Sequence, residues 1–332
     1  MDLFPSGLSR RFAPAAAALF LFAANPAAHC AVVAYTPDAS TLHLWHLDET
    51  AAPAGDVGTS PLPLPVLANG AAFGNASFPG FGTALSTAAT TTSYLAPLTL
   101  VNGAGDESTF PYSNAATGAF TFEAIVRLDI DLTQTQVGTA RGAIPLQIFT
   151  GEGEANGNRV WQFRIDPIGF NPNADGVTTP LTAPALEFIN VNLAVAPVQN
   201  RVMLLPVTGP DAVELGAWYH VAVAYTGSEG VANNLSAYWT KIDGSRTQAD
   251  LLMQRQLDTD LPVVATDFAI GNIGRNPSAS SFAGLIDEVR ISETARGAGE
   301  FIFTIPEPSS GLCFAGAALF LGVRRTGRTE QC

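Results

Sequence analysis

The sequence predicts an all-β protein in which two antiparallel sheets pack as a β-sandwich. Apolar and polar residues alternate along several short segments, which is the period expected of half-buried strands. No segment of the body shows a sustained helical period, and 31 glycines with 23 prolines separate the short runs. Many short strands divided by turn residues are typical of a sandwich or a jelly roll.

The clearest strand signal lies in residues 120–129, where Phe, Phe, Ala, Val and Leu occupy alternate positions and polar residues occupy most of the others. Residues 218–225 alternate in the same way, and residues 235–242 precede an Asp243-Gly244 turn signal. Further strands are predicted near residues 41–48, 92–98, 144–150, 159–166, 185–193, 200–206, 266–273 and 282–291.

Two stretches of the body lack these patterns. Residues 50–90 and 167–184 are rich in Gly, Pro, Ala, Thr and Asn, so we expect long surface loops there rather than linkers. Charge runs and internal repeats are absent. The body of the chain is the part between its two ends, residues 32–304. It is long enough to bury a sufficient apolar core as one large domain.

Both ends of the chain carry targeting features. Arg10 and Arg11 precede an apolar stretch, and small residues follow near position 30, which is the layout of a signal peptide over residues 1–31. The other end, residues 305–332, contains a Pro306-Glu307-Pro308 element, an apolar run over 311–323, and Arg324, Arg325 and Arg328. An apolar run of about thirteen residues can enter a bilayer but barely spans it.

The order of the C-terminal elements resembles the PEP-CTERM sorting tail. That resemblance implies transient membrane contact, cleavage by an exosortase-type enzyme, and release or attachment at the bacterial cell surface. An uncleaved tail that anchors the protein is the alternative. Both ends therefore predict export, with a final location at the cell envelope surface or outside the cell.

Charge and cysteine content exclude several classes of function. The net charge is −13 and Lys241 is the only lysine, so we expect no nucleic-acid partner. The three cysteines, Cys30, Cys313 and Cys332, all lie in or beside the targeting segments. The body therefore offers neither a disulfide framework nor a cysteine-based zinc site.

Four segments of the body carry a family resemblance. They are Leu42–Glu49, Phe120–Ala124, Gly216–Ala222 and Phe282–Ile291, and they look like the successive signatures of laminin-G-like, concanavalin A-like jelly-roll domains. The resemblance implies two antiparallel sheets packed face to face, with the first and last strands adjacent. The loop after Asp48 departs from the family pattern, since only 56–58 and 69–70 partly match it.

Asp287 is the most unusual residue in the predicted strands. Strict alternation places it on one face with Leu285, Val289 and Ile291, and a carboxylate there must be paired, hydrogen-bonded or metal-bound. One interpretation is a structural aspartate. The other is a ligand of one structural calcium ion, for which the resemblance suggests Asp56 as the partner.

Sugar recognition on a sandwich uses exposed aromatic rings together with polar loop groups. Trp161 and Trp239 are the candidate rings, although each is also a candidate core residue. Asn171, Asn173 and Asp175 are the candidate polar groups, or they form a solvated turn.

The sequence predicts no catalytic site. Laminarinase-type enzymes of this fold carry two glutamates and an aspartate at alternate positions of one strand, and no such stretch occurs here. Asp129 with Asp131, and Glu152 with Glu154, have same-face spacing but fall at a strand end and in a turn. His43 and His46 are three residues apart, which directs them to opposite strand faces, and His220 is expected to pack and hydrogen-bond a neighbour.

Together these features predict an exported, non-enzymatic laminin-G-like domain that binds glycan or exopolysaccharide. The second hypothesis is a structural matrix protein without a specific ligand. The third hypothesis is a glycoside hydrolase with an unrecognised active site.

Overall fold

The computed structural model describes residues 32–88, 92–100, 110–134, 143–153, 159–191, 198–275, 277 and 281–303. All of them lie within one unit, His29–Pro308. The signal peptide and the sorting tail, including Pro306, Glu307, Pro308, Arg324 and Arg325, lie outside the described residues. No helix in the described ranges is long and apolar enough to cross a membrane.

The described residues form fifteen strands and a short 3-10 turn at Ala298–Glu300. The strands are β1 Thr41–Trp45, β2 Val66–Ala68, β3 Ala72–Ala76, β4 Thr83–Thr87, β5 Tyr94–Ala96, β6 Phe120–Leu128, β7 Leu146–Glu152, β8 Arg159–Asp166, β9 Ala185–Asn190, β10 Gln199–Leu204, β11 Trp218–Tyr225, β12 Leu235–Lys241, β13 Leu251–Arg255, β14 Phe268–Ile270 and β15 Gly284–Ser292.

These strands form two sheets. Sheet I has the order β13-β12-β11-β6-β15-β4-β3, with β1 also paired to β15, and sheet II has the order β10-β9-β8-β7-β14-β5-β2. All pairings between the named strands are antiparallel. The first and last strands are neighbours, since Trp45 lies opposite Val289. The predicted two-sheet antiparallel sandwich is confirmed.

The main core lies between the sheets and is rich in aromatic side chains. Phe122 of sheet I packs on Trp161 of sheet II with ring centroids 4.6 Å apart, and Trp45 stacks on Phe268 at 5.1 Å. The alternating residues of β6 enter this core, as the sequence predicts: Phe120, Phe122, Ala124, Val126 and Leu128. Such inward alternation from both sheets is what holds a sandwich together.

The central part of the outer face of sheet I is also buried, which the alternation alone did not predict. Val32 pairs with Phe303, and the amide of Val33 donates to the carbonyl of Ile302 at 3.2 Å. These two end segments belong to a second, smaller apolar cluster that includes Ile125 of β6. Strand β6 is therefore buried on both faces rather than half-buried.

The region 50–90 is not the loop that its composition predicts. It contains β2, β3 and β4, and a turn at Asn69-Gly70 joins the first two, with φ angles of 54° and 88°. This turn leads the chain from β2 of sheet II to β3 of sheet I, and Asn-Gly favours its two successive positive φ angles. Residues 167–184 do form a long loop, with one isolated bridge between Ala174 and Val177.

Strand β15 contains a bulge that changes the face of Asp287. Its register against β6 shifts between Asp287 and Arg290, and Glu288 has a φ of +49°. Three residues of β15 enter the main core: Ile286, Val289 and Ile291. The prediction that Asp287 shares a face with Val289 and Ile291 is therefore wrong, because a bulge breaks strict alternation.

Candidate functional site

A cleft lies at one edge of sheet II, between the 167–184 loop and the edge strand β10. Its volume is about 520 Å³, which is within the range of small-molecule sites. Its lining residues are Asn173, Ala174, Asp175, Gly176, Thr178, Val198, Asn200 and Arg201. We call this the edge cleft.

The loop wall of the edge cleft is a tight turn. Ala174 and Val177 exchange backbone hydrogen bonds of 3.1 and 2.8 Å, and the two residues between them, Asp175 and Gly176, have φ angles of 52° and 77°. Asp-Gly is one of the sequences that favour such a turn. Asn171 supports the wall, since its side chain accepts from the amide of Asn173 at 3.0 Å.

The predicted polar residues therefore have different roles. Asp175 lines the cleft, as does Asn173, whereas Asn171 braces the loop. The Asn171 amide group also donates to the carbonyl of Thr178 at 3.2 Å, which joins the two ends of the turn.

Asp175 connects the loop to the strand wall. Its Oδ2 accepts from the backbone amide of Val202 at 3.2 Å and lies 3.3 Å from Nε of Arg255. Arg255 in turn donates to the carbonyl of Val202 at 3.1 Å. Both side chains thus satisfy backbone groups of an edge strand, groups that would otherwise be available to another chain.

The strand wall contributes an acceptor without a partner. Oδ1 of Asn200 is buried and accepts no hydrogen bond from any described residue. The neighbouring Arg201 makes four contacts within the protein: with the carbonyls of Gln256 and Asn200 and with the side chains of Gln199 and Asp258. Most donors of the Arg201 guanidinium are therefore already used, whereas Oδ1 of Asn200 has no donor but is shielded from solvent.

A polar network continues from the cleft across the outer face of sheet II. Val202 lies opposite Glu187, and Glu187 lies opposite Arg164, so all three share one face. Arg164 donates to Glu187 at 2.8 Å and to Gln162 at 2.8 Å. Gln162 donates to Glu152 at 2.7 Å, so the network crosses three strands.

Asp166 lies at the end of this network, and its buried carboxylate accepts no hydrogen bond from the described residues. Its Oδ1 is 3.0 Å from Nε of Arg164, yet neither carboxylate oxygen has a hydrogen bond from the described residues. Burial, and to a lesser extent the charge of Glu187, raises the pKa of Asp166 well above its usual range, against the opposing effect of Arg164. Sequence reasoning missed this network; its only signal was three polar residues alternating in β8.

The two tryptophans predicted to bind sugar lie in the core instead. Trp161 is fully buried among phenylalanines, and Trp239 stacks on Tyr219 at 4.3 Å while its Nε1 donates to the carbonyl of Asp211. Neither ring is accessible to a pyranose. The prediction of stacking by Trp161 and Trp239 is wrong, because each lies on the inward face of its strand.

Asp56 does not suit a calcium ion, because protein donors already saturate its carboxylate. Oδ1 accepts from the amides of Leu44 and Gly58 at 2.9 and 2.8 Å. Oδ2 is 2.7 Å from Nδ1 of His43 and accepts from the amide of Leu62 at 2.8 Å. Carboxylate oxygens that each take two donors have no position left for a metal.

Asp287 is similarly bound by protein. Its Oδ1 accepts from the amide of Glu288 at 2.8 Å, and its Oδ2 accepts from the hydroxyl of Ser77. Within the described ranges, no three His, Cys, Asp or Glu side chains converge as a metal site requires. Asp56 and Asp287 therefore fit structural roles rather than the predicted calcium site.

The buried position of Asp287 predicts a pH dependence of stability. Burial raises its pKa to about 9 from a usual 3.8, although the Ser77 hydroxyl opposes the shift. Between these values the folded state binds the proton more tightly than the unfolded state, so the free energy of unfolding falls as pH rises from about 4 to about 9. The slope is at most about 1.4 kcal/mol per pH unit.

Asp287→Asn should remove that dependence. Urea unfolding at pH 5 and pH 8 should show the variant gaining stability relative to the wild type at the higher pH. A difference between the two proteins that stays constant over this range would contradict a protonated Asp287.

The other acidic and histidine candidates have structural partners. Asp129 pairs with Arg127 at 2.8 Å on the surface. His46 Nδ1 lies 2.7 Å from Glu288, and this hydrogen bond raises the pKa of His46 despite partial burial. Glu154 lies outside the described residues.

His220 packs within sheet I as predicted. Its Nε2 contacts Glu123 at 3.4 Å and its ring packs on Phe301. Burial lowers the pKa of His220, although Glu123 opposes the shift.

Sequence comparison agrees with this architecture over one part of the chain. Residues 198–300 match the laminin G family model described as the concanavalin A-like lectin/glucanases superfamily. The matched range includes β10 to β15, and with them the strand wall of the edge cleft. No curated protein matches the chain.

Several solved structures are distantly similar. One is a Bacteroides ovatus protein provisionally described as carbohydrate-binding, with 21% identity and a TM-score of 0.32 over 57% of this chain and 42% of that one. Another is the CBM40 of a Ruminococcus gnavus IT-sialidase bound to α2,3-sialyllactose, with 13% identity and a TM-score of 0.35 over 56% and 83%.

A third is a Trypanosoma rangeli sialidase in complex with the inhibitor DANA, with 15% identity and a TM-score of 0.34 over 80% and 32%. The chain thus spans less than half the length of the Bacteroides ovatus protein and of this sialidase. At these identities and TM-scores, the similarities say nothing about the ligand of this chain.

Proposed function

We propose that this protein binds a glycan in the edge cleft, without catalysis. The observation that carries the proposal is a cleft of about 520 Å³ whose lining combines amide, hydroxyl and apolar side chains. A family description that includes lectins supports the same class of ligand.

The lining of the cleft suits a sugar in two respects. Asn173, Thr178 and Asn200 offer amide and hydroxyl groups, which exchange hydrogen bonds with sugar hydroxyls in both directions. Ala174 and Val198 offer apolar surface for the C–H groups of a ring. Since no lining residue is aromatic, affinity would depend on hydrogen bonds rather than stacking.

A glycan array with the purified protein tests the proposal, followed by titration of a bound glycan against Asn200→Ala. The variant should bind about fivefold to 150-fold more weakly, since a lost hydrogen bond in a desolvated site costs roughly 1–3 kcal/mol. Its folding should be unaffected, because Oδ1 of Asn200 has no partner in the described part of the protein.

Asn75→Ala is the matched control, because Asn75 lies on β3 of sheet I, outside the lining of the edge cleft. Equal affinities for the wild type and both variants would exclude the edge cleft. An array without any bound glycan would instead favour a structural matrix role. Release of reducing ends from a bound polysaccharide would favour the hydrolase alternative.

The destination of the protein rests on residues outside the described ones. Export, transient membrane contact through the C-terminal tail, and processing by an exosortase-type enzyme stay predictions of the sequence. They are compatible with a glycan ligand, because exopolysaccharide is the polymer that a surface protein meets.

A further inference from the structure

We infer that one proton, shared between the buried carboxyls of Asp166 and Glu187, holds the 167–184 loop closed over sheet II, and that loss of this proton opens the loop. Opening of the loop does not depend on the proposed function. Its effect on the edge cleft does, because the loop forms one wall of that cleft.

The two carboxyls lie on one buried face of sheet II and have a single cation between them. The side chains of Asp166 and Glu187 are both completely buried. Arg164 lies opposite Glu187 and two residues before Asp166 in β8. Its Nε is 2.8 Å from Oε2 of Glu187 and 3.0 Å from Oδ1 of Asp166, so both carboxyls use the same N–H. Two carboxylates beside one guanidinium would leave a buried negative charge without compensation, which burial strongly disfavours.

Hydrogen-bond donors are also too few around this pair. Both oxygens of Asp166 and Oε1 of Glu187 accept nothing from the described residues, and neither does Oε1 of Gln147, which lies opposite Arg164 on β7. A proton on Asp166 would supply a donor to Glu187, which is within hydrogen-bonding reach. Burial is the largest cause of the raised pKa of Asp166, and the charge and hydrogen bond of Glu187 add to it, against Arg164.

The other charged side chains of the surrounding elements do not replace that proton. They are Arg159 of β8, Glu152 of β7, Arg201 of β10 and Asp175 of the loop. Arg159 and Glu152 lie opposite each other at the far end of β8. Asp175 lies 3.3 Å from Nε of Arg255, and Arg201 contacts the segment that follows β13. The pair therefore depends on Arg164 and on a proton.

The loop packs against the residues that flank the pair. Its Phe170 ring lies over the guanidinium of Arg164 at 5.2 Å. The amide of Leu181 donates to the carbonyl of Phe170 at 2.7 Å, which joins the two arms of the loop. Leu181 also packs on Ala185, which lies opposite Asp166 on β9. Separation of these contacts would admit water to the carboxyls, so ionisation and opening are coupled.

The direction of the pH dependence follows from this coupling. The closed loop binds the proton more tightly than the open loop, in which water solvates the carboxylates. The equilibrium constant for opening therefore rises as pH increases above 3.8, the usual pKa of an aspartate, by at most about tenfold per pH unit. Opening withdraws Asn173, Asp175 and Thr178 from the strand wall of the edge cleft, so a bound glycan should dissociate more readily at higher pH.

Hydrogen exchange of the purified protein without ligand, at about pH 5 and about pH 8, tests the opening. The amides to follow are those of Gly169 and Leu181, whose hydrogen bonds join the two arms of the loop. Their protection factors, corrected for the chemical exchange rate at each pH, should be at least about tenfold lower at the higher pH.

Asp166→Asn and Glu187→Gln should each abolish this difference. Each leaves one carboxylate for Arg164 and supplies an amide donor in place of the proton, and the second variant serves if the first does not fold. Asp287→Asn is the matched control, because it neutralises a buried carboxyl of sheet I whose pKa is also raised by burial. It should leave the pH dependence of the loop unchanged.

Three results would overturn the inference. They are loop protection that is equal at the two pH values in the wild type, a decrease that persists in both Asp166→Asn and Glu187→Gln, and a decrease that Asp287→Asn removes to the same extent. Because no ligand is present, failure of the glycan proposal would not alter these results. A glycan from the array with equal affinity at both pH values, while the loop opens, would contradict only the predicted effect on the edge cleft.

Discussion

Asp56→Ala is expected to lower the free energy of unfolding by about 3–5 kcal/mol. The side chains of Asp56 and His43 are both completely buried and meet at 2.7 Å. Removing the carboxylate also leaves the amides of Leu44, Gly58 and Leu62 without their acceptor. An unsatisfied buried donor costs about 1–3 kcal/mol, so several together account for a large loss.

Urea unfolding followed by tryptophan fluorescence measures this effect. Asp129→Ala is the matched control, because its carboxylate also has a basic side chain as its partner, Arg127, but 43% of the Asp129 side chain is exposed. We expect the control to cost at most about 1 kcal/mol. Equal losses in the two variants would contradict a structural role for Asp56.

A chelator separates this account from the calcium hypothesis. Since protein donors saturate Asp56, chelation should leave the melting temperature of the wild type unchanged. If chelator lowers the melting temperature of the wild type but not that of Asp56→Ala, the calcium hypothesis is supported instead.

Glu123→Ala is expected to destabilise the protein by a similar amount, about 3–5 kcal/mol. Glu123 is completely buried on the outer face of sheet I, where Arg290 donates to it at 2.6 Å and Tyr35 donates from its hydroxyl. Burial opposes ionisation of this carboxyl, but Arg290 and His220 together lower its pKa to about 2. The substitution would leave the buried Arg290 charge without its closest partner.

The loss of order in Glu123→Ala should be confined to the two segments that cover sheet I, residues 32–38 and 301–303. Tyr35 belongs to the N-terminal segment that covers sheet I, and its ring lies 3.7 Å from the guanidinium of Arg290. Hydrogen exchange in Glu123→Ala should therefore accelerate first in residues 32–38 and 301–303. Glu214→Ala, which removes an exposed partner of Lys241, is the control and should change neither exchange nor stability by a comparable amount. Uniform exchange across both sheets would contradict this assignment.

The strands that the sequence predicted best are those with strong local alternation. Residues 120–129, 218–225 and 235–242 were each predicted within a residue or two of β6, β11 and β12. Burial of alternate side chains is a property of consecutive residues, so it is visible without the partner strand. Glycine and proline content, absence of cysteine from the body and net charge likewise narrowed the class of protein by themselves.

The same local reasoning failed where a distant residue decides the outcome. The bulge at Glu288 reversed the face assigned to Asp287, and Trp161 and Trp239 became core residues because apolar strands lie across from them. The short strands β2 to β4 have weak patterns of their own and exist because β5 pairs with β2, β15 pairs with β4, and β4 pairs with β3. Pairing partners determine these features, and the sequence of one strand does not contain its partner.

The sequence by itself determined an all-β sandwich and an acidic body without disulfides, and it nominated the Asn171–Asp175 loop. Only the tertiary structure decided what that loop faces. Asp175 meets Val202 of sheet II and Arg255 of sheet I, and Asn200 in the same strand as Val202 is left with an unpaired oxygen. The physical reason is that a cleft is made of residues distant in sequence, and its chemistry depends on which of their hydrogen bonds the fold has already used.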